Sequence, residues 1–427
     1  MPEQSSFVID DFASFKNKAL RWAQQFEYNL CLDNHFQVSP YKQMEFLLAV
    51  DAIRLLNLKN EVNQFDLFNA FQQEAMSSVF GYFSYDLKNE LERLESSNPD
   101  RLNLASCFFF EPRYIISFNA GKCIINRSTL EAMHIFDQIN SFDGSPPKNN
   151  KLGLNWKSRV DQETYIENVK QIKRDIEEGT VYELNYCREI YAEEVQLSPV
   201  ESFLLINEQA KAPFSAFLRM GEQYALSFSP ERFVQLKGDS LLSQPIKGTV
   251  RKTNDAAQNE QLKRELLNDE KERAENVMIV DLVRNDFARS ALTGSVKVEE
   301  LFGIYEFENI IQMISTVSAL KRPNMSALAT LKNAYPMGSM TGAPKIKAME
   351  LIEKYEVSKR GLYSGTIGYM HLNGDFDFNV VIRTLIYDAN KGYLSFHVGG
   401  AITYDSDPLK EWEETEIKAK SILQFLG

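Results

Sequence analysis

The sequence is poor in residues that build covalent or metal-bound frameworks. Its 427 residues include four cysteines and four histidines, with no CxxC pair and no histidine cluster. Neither a disulfide scaffold nor a zinc site is therefore indicated. We expect reduced, mostly buried thiols and a cytoplasmic location.

Two further features are absent: a long apolar run and an excess of basic residues. The N-terminal residues MPEQSSFVIDDFASFK contain no signal-peptide core, and no apolar stretch reaches membrane-spanning length. The formal net charge is −12, which argues against nucleic acid or an anionic membrane as a partner. An anionic substrate would need a local positive charge, which a bound divalent cation would supply.

What the chain does contain is enough apolar material for a large core. Hydrophobic residues make up 44% and aromatic residues 12% of the sequence, and the length allows roughly two to three domains or one large unit. The polar segment SPPKNN at 145–150 is typical of a linker. We therefore predict a boundary between an N-terminal subdomain over 1–150 and a second region over 151–427.

Local patterns predict a mixture of strands and helices. The aromatic run Cys107–Phe110 is typical of a strand, whereas Met44–Leu58 is interpreted as a helix. Apolar spacing predicts another helix that begins after Asp161 and ends at Gly179. The β-branched and aromatic run that follows predicts a strand in which Glu183 alternates with the inward-facing side.

Two single residues stand out as candidates for chemistry. Lys247 lies between Pro245 and Gly248 in QPIKGT, and a lysine held on such a turn is a candidate amine nucleophile. The alternative is a surface lysine in a hinge. Glu231 follows a proline in SPERF, which restricts its backbone, and the alternative here is a strand-edge charge.

Two pairs of glutamates recur with the same spacing at the starts of two predicted helices. Glu272 and Glu275 share one face of a predicted helix that is capped by Asn268 or Asp269. Glu411 and Glu414 repeat the pattern in the terminal helix capped by Ser406–Asp407–Pro408. An acidic first turn also complements the helix dipole, which is the alternative explanation. Four carboxylates from two helix starts suit an oxygen-seeking ion such as Mg²⁺.

The C-terminal part is predicted to carry an anion-binding arginine. Residues 363–402 suggest a three-stranded meander with turns at Asn373–Gly374 and Asn390–Gly392. Arg383 lies within the apolar run FNVVIRTLIY, in the predicted middle strand. A charge in such a run usually holds a carboxylate or phosphate, because an unpaired charge there would be costly.

Several linked motifs, in order along residues 160–427, are similar to those of a known family. They are SPERF, QPIKGTVR, KERAENVMIVDLVRND, GSMTGAPK, RGLYSGTIGY, NVVIRT and DSDPLKEWEETEIKAK. The series resembles the chorismate-utilising enzymes, which include anthranilate synthase and aminodeoxychorismate synthase component I. The resemblance implies an α+β fold, an α/β sandwich of two large, mainly antiparallel sheets with outer helices. It also implies that residues 151–427 are the chorismate-binding catalytic region and form one sandwich with residues 1–150. PIKGT with lysine is the form found in aminodeoxychorismate synthase component I, whereas anthranilate synthases resemble PIAGT.

The resemblance also implies roles for individual residues. Lys247 would add covalently to the chorismate ring, and Glu231 would be the general acid on the departing hydroxyl. Magnesium would lie among Glu272, Glu275, Glu411 and Glu414 and anchor the ring carboxylate. The remaining substrate-binding residues would be Tyr363 and Arg383, which grip the enolpyruvyl carboxylate, together with Thr249, Thr341, Gly399 and Gly400.

The chain departs from the family pattern at three positions. Family members often carry Gln or Lys in place of Glu183, histidine in place of Gln312 and glycine in place of Ala401. In the family a lysine at the position of Glu183 activates water, so its absence here argues against hydration chemistry. Loss of the histidine puts in doubt the pyruvate elimination that yields anthranilate.

The function expected from the resemblance is amination of chorismate to 4-amino-4-deoxychorismate on the para-aminobenzoate and folate route. No cysteine lies in a GxCxG elbow, so ammonia is expected from a separate glutamine amidotransferase subunit. The alternatives are the anthranilate synthase component I reaction and a catalytically silent chorismate-binding subunit.

Overall fold

Strands dominate the computed structural model, which describes residues 4–35, 45–119, 121–148 and 152–427. The strands are β1 Ser5–Val8, β2 Tyr28–Asp33, β3 Phe46–Leu58, β4 Val79–Phe83, β5 Cys107–Asn119, β6 Lys122–Ile125, β7 Lys157–Ser158, β8 Glu183–Ala192, β9 Phe214–Met220, β10 Gln223–Ser229, β11 Arg232–Lys237, β12 Ser240–Gln244, β13 Ile246–Arg251, β14 Lys297–Glu306, β15 Ile310–Leu320, β16 Gly342–Ala343, β17 Thr366–Met370, β18 Phe376–Asn379, β19 Thr384–Asp388 and β20 Tyr393–Ile402. The α-helices are α1 Phe12–Ala23, α2 Gln64–Gln73, α3 Lys88–Glu92, α4 Thr129–Asn140, α5 Gln162–Glu177, α6 Pro199–Ala210, α7 Ala256–Asn268, α8 Glu270–Ala288, α9 Ala327–Ala334, α10 Lys345–Tyr355 and α11 Pro408–Leu423.

The strands form two sheets that share the long strands β3 and β5. From this shared pair the first sheet continues through β2, β9, β10, β19, β20 and β8. The second sheet continues from β5 through β4, β17, β18, β11, β12 and β15. Every pairing among the described strands is antiparallel.

The two sheets pack face to face as a sandwich, with alternate side chains of each strand pointing between the sheets. Phe108 and Phe110 of β5 pack in an apolar cluster between the sheets, together with residues such as Leu218 of the first sheet. Phe109, which points the opposite way, packs against α2. This period of two buries both faces of each sheet, with helices covering the outer faces. The predicted α+β sandwich of mainly antiparallel sheets is confirmed.

The chain passes from one sheet to the other at two adjacent crossovers. One joins β10 of the first sheet to β11 of the second through Pro230 and Glu231. The other joins β18 back to β19 through residues 380–383. Backbone hydrogen bonds tie the two crossovers together, because Val380 N donates to Glu231 O at 3.0 Å and Phe228 N donates to Arg383 O at 3.1 Å.

Helix ends follow the predicted capping chemistry. Asp161, Asp269 and Asp407 cap α5, α8 and α11, and each side chain accepts a hydrogen bond from a first-turn backbone N–H. Such caps satisfy amides that lack a partner within the helix. The start positions predicted for these three helices are confirmed.

Two predictions for regular elements are wrong. The stretch interpreted as a helix is strand β3 from Phe46 onward, and Met44 lies outside the described residues. An apolar run of this kind is compatible with either element, and here pairing with β2 and β5 decides the outcome. The predicted three-stranded meander is four strands, since β18 and β19 belong to different sheets. Arg383 therefore lies in a crossover and not in a strand.

Strands on either side of the predicted boundary at residue 150 pair directly. β2 pairs with β9, and β4 pairs with β17. Residues 149 and 150 of the predicted linker lie outside the described part of the chain. Within the described residues, no helix is both long and apolar enough to cross a lipid bilayer.

Candidate active site

A cavity of about 1360 Å³ opens beside the two crossovers. The residues predicted for the site that line it are Glu231, Lys247, Thr249, Glu272, Glu275, Tyr363, Arg383, Gly399, Gly400 and Glu414. Two of the predicted residues, Thr341 and Glu411, are fully or almost fully buried and do not line the cavity. Residues scattered over most of the C-terminal two thirds of the chain thus meet at one place.

Lys247 lies on β13 with its ammonium group between two carboxylates. Its Nζ lies 3.0 Å from Glu183 Oε1 and 3.3 Å from Glu275 Oε2, and only 11% of the side chain is exposed. Burial acts to lower the pKa of Lys247, but the two carboxylates outweigh burial and raise it. The lysine is therefore charged in this state, and it is not a surface lysine in a hinge.

The backbone next to Lys247 has to be glycine. Gly248 has a φ of +81°, and a Cβ there would lie 2.7 Å from Leu266 Cδ1. Only glycine adopts this left-handed conformation at little cost. The bend it allows accompanies an irregularity in the pairing of β13 with β15.

Glu183 is the site residue whose importance the sequence indicated least. It begins β8 and is 1% exposed. One carboxylate oxygen accepts from Lys247, while Oε2 is buried without a hydrogen-bond partner among the described residues. Burial raises the pKa of Glu183, and Lys247 opposes this effect. Its inward-facing position on β8 agrees with the predicted alternation.

Glu231 lies in the first crossover with its carboxyl group buried. Ser339 Oγ donates to Glu231 Oε1 at 2.8 Å. Burial raises the pKa of Glu231 to about 7, against smaller lowering effects of Ser339 and Lys247. A carboxyl group with this pKa is protonated over much of the neutral range, which is what a general acid requires.

The two glutamate pairs converge from the first two turns of α8 and of α11. Glu272 packs beside Gly248, and Glu411 Oε2 lies 3.4 Å from where a Cβ on Gly400 would be. Burial raises the pKa of Glu272 and of Glu411. The pKa of Glu414 is lowered although burial acts to raise it, because Lys418 lies 2.6 Å away.

This donor set fits a divalent cation of the magnesium type. All four groups are carboxylates, the ligands that hard cations prefer. Within the described residues, however, no three carboxylates already stand in a metal-holding arrangement, and the ammonium of Lys271 lies between Glu275 and Glu411. Small side-chain movements would be needed to complete a metal site.

Arg383 presents a guanidinium group that has no side-chain partner in the described part of the chain. Its φ is +51°, and its half-buried side chain lines the cavity. Among the described residues the guanidinium makes no ion pair or side-chain hydrogen bond, and burial alone lowers its pKa. An arginine desolvated without a carboxylate is suited to bind an anionic ligand.

The other predicted substrate-binding residues differ in how they could contact a ligand. Tyr363 stacks on His397 at 5.2 Å between ring centroids, and Thr249 Oγ1 accepts from Gln312 Nε2 at 3.1 Å. The backbone of Gly399 accepts from Lys418 Nζ at 3.0 Å. The Thr341 hydroxyl instead donates to backbone carbonyls of its own turn, at 3.2 Å.

A buried ion pair between Arg360 and Glu356 lies next to residues that line the cavity. It was not predicted from the sequence. Arg360 donates to Glu356 Oε1 at 2.7 Å and also to the backbone carbonyls of Met340 and Asn185. It thereby links the GSMTGAPK turn to β8. No local pattern distinguishes this pair from the many exposed i,i+4 pairs of helices.

Comparisons with known proteins identify the family of this chain. The family model described as chorismate binding enzyme matches residues 22–424. The chain is 38% identical over 351 residues to aminodeoxychorismate synthase component 1 of Escherichia coli K12, covering 82% of this chain and 76% of that protein. It is 40% identical over 271 residues to the same-named protein of Klebsiella aerogenes, covering 64% of this chain but only 59% of that protein.

A solved structure shares the fold. Anthranilate synthase component I from Streptococcus pneumoniae superposes with a TM-score of 0.78 at 25% identity, covering 91% of this chain and 95% of that one. The family match extends over nearly the whole chain and includes every residue placed in the cavity. The chain therefore belongs to the chorismate-binding enzyme family.

Proposed function

We propose that this chain aminates chorismate to 4-amino-4-deoxychorismate, with Mg²⁺ as cofactor. The observation that carries the proposal is a buried lysine and a buried, protonatable glutamate in one cavity, Lys247 and Glu231. The similarity to proteins named aminodeoxychorismate synthase component 1 supports the same reaction.

Glu231 protonates the hydroxyl group that leaves the ring. Hydroxide is a poor leaving group, and the raised pKa keeps a proton on Glu231 near neutral pH. As the C–O bond breaks, water departs and Glu231 is left ionised. Ser339 is in place to hold that carboxylate by its hydrogen bond.

Lys247 forms the new bond to the ring. Its ammonium must first lose a proton, and Glu183 Oε1 at 3.0 Å is an acceptor within hydrogen-bond reach. The neutral amine adds as the hydroxyl leaves, and ammonia then displaces the lysine to give the product. Gln312 pairs with Thr249 on β13, the strand that carries Lys247. Its side chain is a neutral amide, which cannot serve as the base for a subsequent pyruvate elimination.

Two positively charged groups bind the substrate, the Arg383 guanidinium and a magnesium ion. Arg383 holds one carboxylate of chorismate, while Glu272, Glu275, Glu411 and Glu414 would hold a magnesium ion. When bound there, magnesium supplies positive charge for the ring carboxylate, which the strongly acidic chain otherwise repels. The ammonia comes from a separate glutamine amidotransferase subunit.

Product identity tests the proposal. The chain is incubated with chorismate, MgCl₂ and an ammonium salt, and products are separated by chromatography. We expect 4-amino-4-deoxychorismate that requires both magnesium and ammonium. Anthranilate with pyruvate would assign the reaction of the anthranilate relatives instead, and absence of any product would favour a silent chorismate-binding subunit.

Substitution of Arg383 is expected to weaken chorismate binding without unfolding the protein. In Arg383→Gln, KM for chorismate should rise by roughly 10- to 100-fold, the value of one charge-assisted hydrogen bond. Stability should stay the same or increase, since the guanidinium pairs with no carboxylate among the residues that the structure describes. Steady-state kinetics and thermal unfolding measure the two effects. An unchanged KM would remove Arg383 from the substrate site.

A further inference from the structure

One lysine lies inside the acidic cluster but belongs to none of the roles above. Lys271, in the first turn of α8, places Nζ 3.5 Å from Glu411 Oε1 and 3.8 Å from Glu275 Oε1. One ammonium group thus bridges α8 and α11. It lies between the two glutamate pairs, where a cation would have to lie to contact both.

The carboxylates that Lys271 bridges are not surface groups. The side chains of Glu275 and Glu411 are 9% and 4% exposed, while that of Lys271 is 46% exposed. Buried carboxylates without a counter-charge are costly. Burial acts to lower the pKa of Lys271, and the four surrounding glutamates together raise it.

The other two lysines at the cluster have further partners. Lys247 is shared with Glu183, and Lys418 also donates to Gly399 O. Lys271 has no partner among the described residues besides these carboxylates. Its distances exceed the 2.7–2.9 Å or so of a tight charge-assisted hydrogen bond, and its exposed stem leaves it free to swing outward.

We propose that Lys271 is the resident cation of this cluster, holding the two glutamate pairs together until the divalent ion displaces its ammonium group. The inference rests on the magnesium site of the proposed function. Magnesium affinity is then set by competition between the ion and the ammonium group of Lys271. Lys271 is thus a residue that tunes cation binding without being a ligand.

The test compares Lys271→Met with Lys347→Met. Methionine keeps most of the stem and removes the charge. Lys347 is the matched control, since its side chain is also 46% exposed and pairs with a helical glutamate, Glu350, remote from the cluster in sequence. Magnesium affinity is measured by isothermal titration calorimetry, and the thermal midpoint is measured with EDTA and with MgCl₂.

Removal of the tethered charge should tighten magnesium binding. In Lys271→Met we expect the dissociation constant for Mg²⁺ to fall by roughly ten-fold or more, as expected for one partly screened charge at about 4 Å. The midpoint should fall by several degrees in EDTA and recover in MgCl₂. Lys347→Met should change neither quantity.

The opposite outcomes separate this inference from the proposed function. If the unsubstituted chain binds Mg²⁺ but Lys271→Met binds it equally or more weakly, the resident-cation role is wrong and the metal site stands. If the unsubstituted chain binds no Mg²⁺, both fail together. Should Lys271→Met not fold in EDTA, Lys271→Gln, which keeps a polar donor, is measured in the same way with the same expectations.

Discussion

Glu231→Gln is expected to lose turnover and gain stability at the same time. Glutamine keeps the shape and the hydrogen bond with Ser339 but has no proton to give to the leaving hydroxyl. Turnover should fall on the order of 10²- to 10⁴-fold, the usual contribution of a positioned acid. KM for chorismate should change little, because the side chain acts on the departing group.

The gain in stability follows from the raised pKa. In the folded protein Glu231 titrates near 7, against a normal value of 4.5. Between pH 4.5 and about 7 the folded chain keeps a proton on Glu231 that the unfolded chain releases. The stabilisation from this protonated carboxyl group is therefore complete below pH 4.5 and is lost as the pH rises through about 7. A difference of about 2.5 units corresponds to roughly 3 kcal/mol.

Urea unfolding at pH 5 and pH 8 checks this prediction. Glu231→Gln should exceed the unsubstituted chain by up to about 3 kcal/mol at pH 8 and by much less at pH 5. The control is Glu413→Gln, an exposed glutamate of α11, which should change neither stability nor turnover. A variant that kept full activity, or showed the same pH slope as the unsubstituted chain, would contradict the assignment.

Lys247→Ala is expected to abolish amination and also to destabilise the fold. Without the amine no covalent bond to the ring can form, and losses of at least about 10³-fold are typical when a nucleophile is removed. The substitution also leaves Glu183 and Glu275 buried without their shared counter-charge. Breaking such a pair costs about 3–5 kcal/mol.

A double variant separates these two effects. Lys247→Ala combined with Glu183→Gln removes one of the stranded carboxylates, so much of the stability should return while activity stays absent. Intact-mass measurement after incubation with chorismate, without ammonium, should show an adduct on the unsubstituted chain alone. Persistent amination by Lys247→Ala would mean that ammonia attacks the ring directly.

The sequence allowed local features to be predicted better than distant ones. The caps at Asp161, at Asn268 or Asp269, and within Ser406–Pro408 were predicted because a capping residue and its amide partners are near one another in the chain. The structure selects Asp269 and Asp407 for the last two. The interpretation of β3 as a helix failed because its pairing partners are remote. Arg383 was singled out for its charge, but its place between two sheets depends on which strands pair.

The candidate site shows the same division. Motifs indicated twelve site residues, and ten of them line the cavity. They could not show that Lys247 is held by Glu183, nor that Lys271 bridges two helices. Both contacts join residues far apart in sequence. The ion pair of Arg360 and Glu356 is close in sequence, but its burial depends on the turn and strand packed around it.

The strand order has a consequence for how the protein is made. Strand β4 is paired on one side by β17, where Gly81 faces Gly368, and β2 is paired by β9. During synthesis one edge of β2 and one edge of β4 therefore stay unpaired until β9 and β17 have been made. Contacts of such long range slow folding, and open edges invite association with other chains. We expect nascent chains that stop before β17 to aggregate.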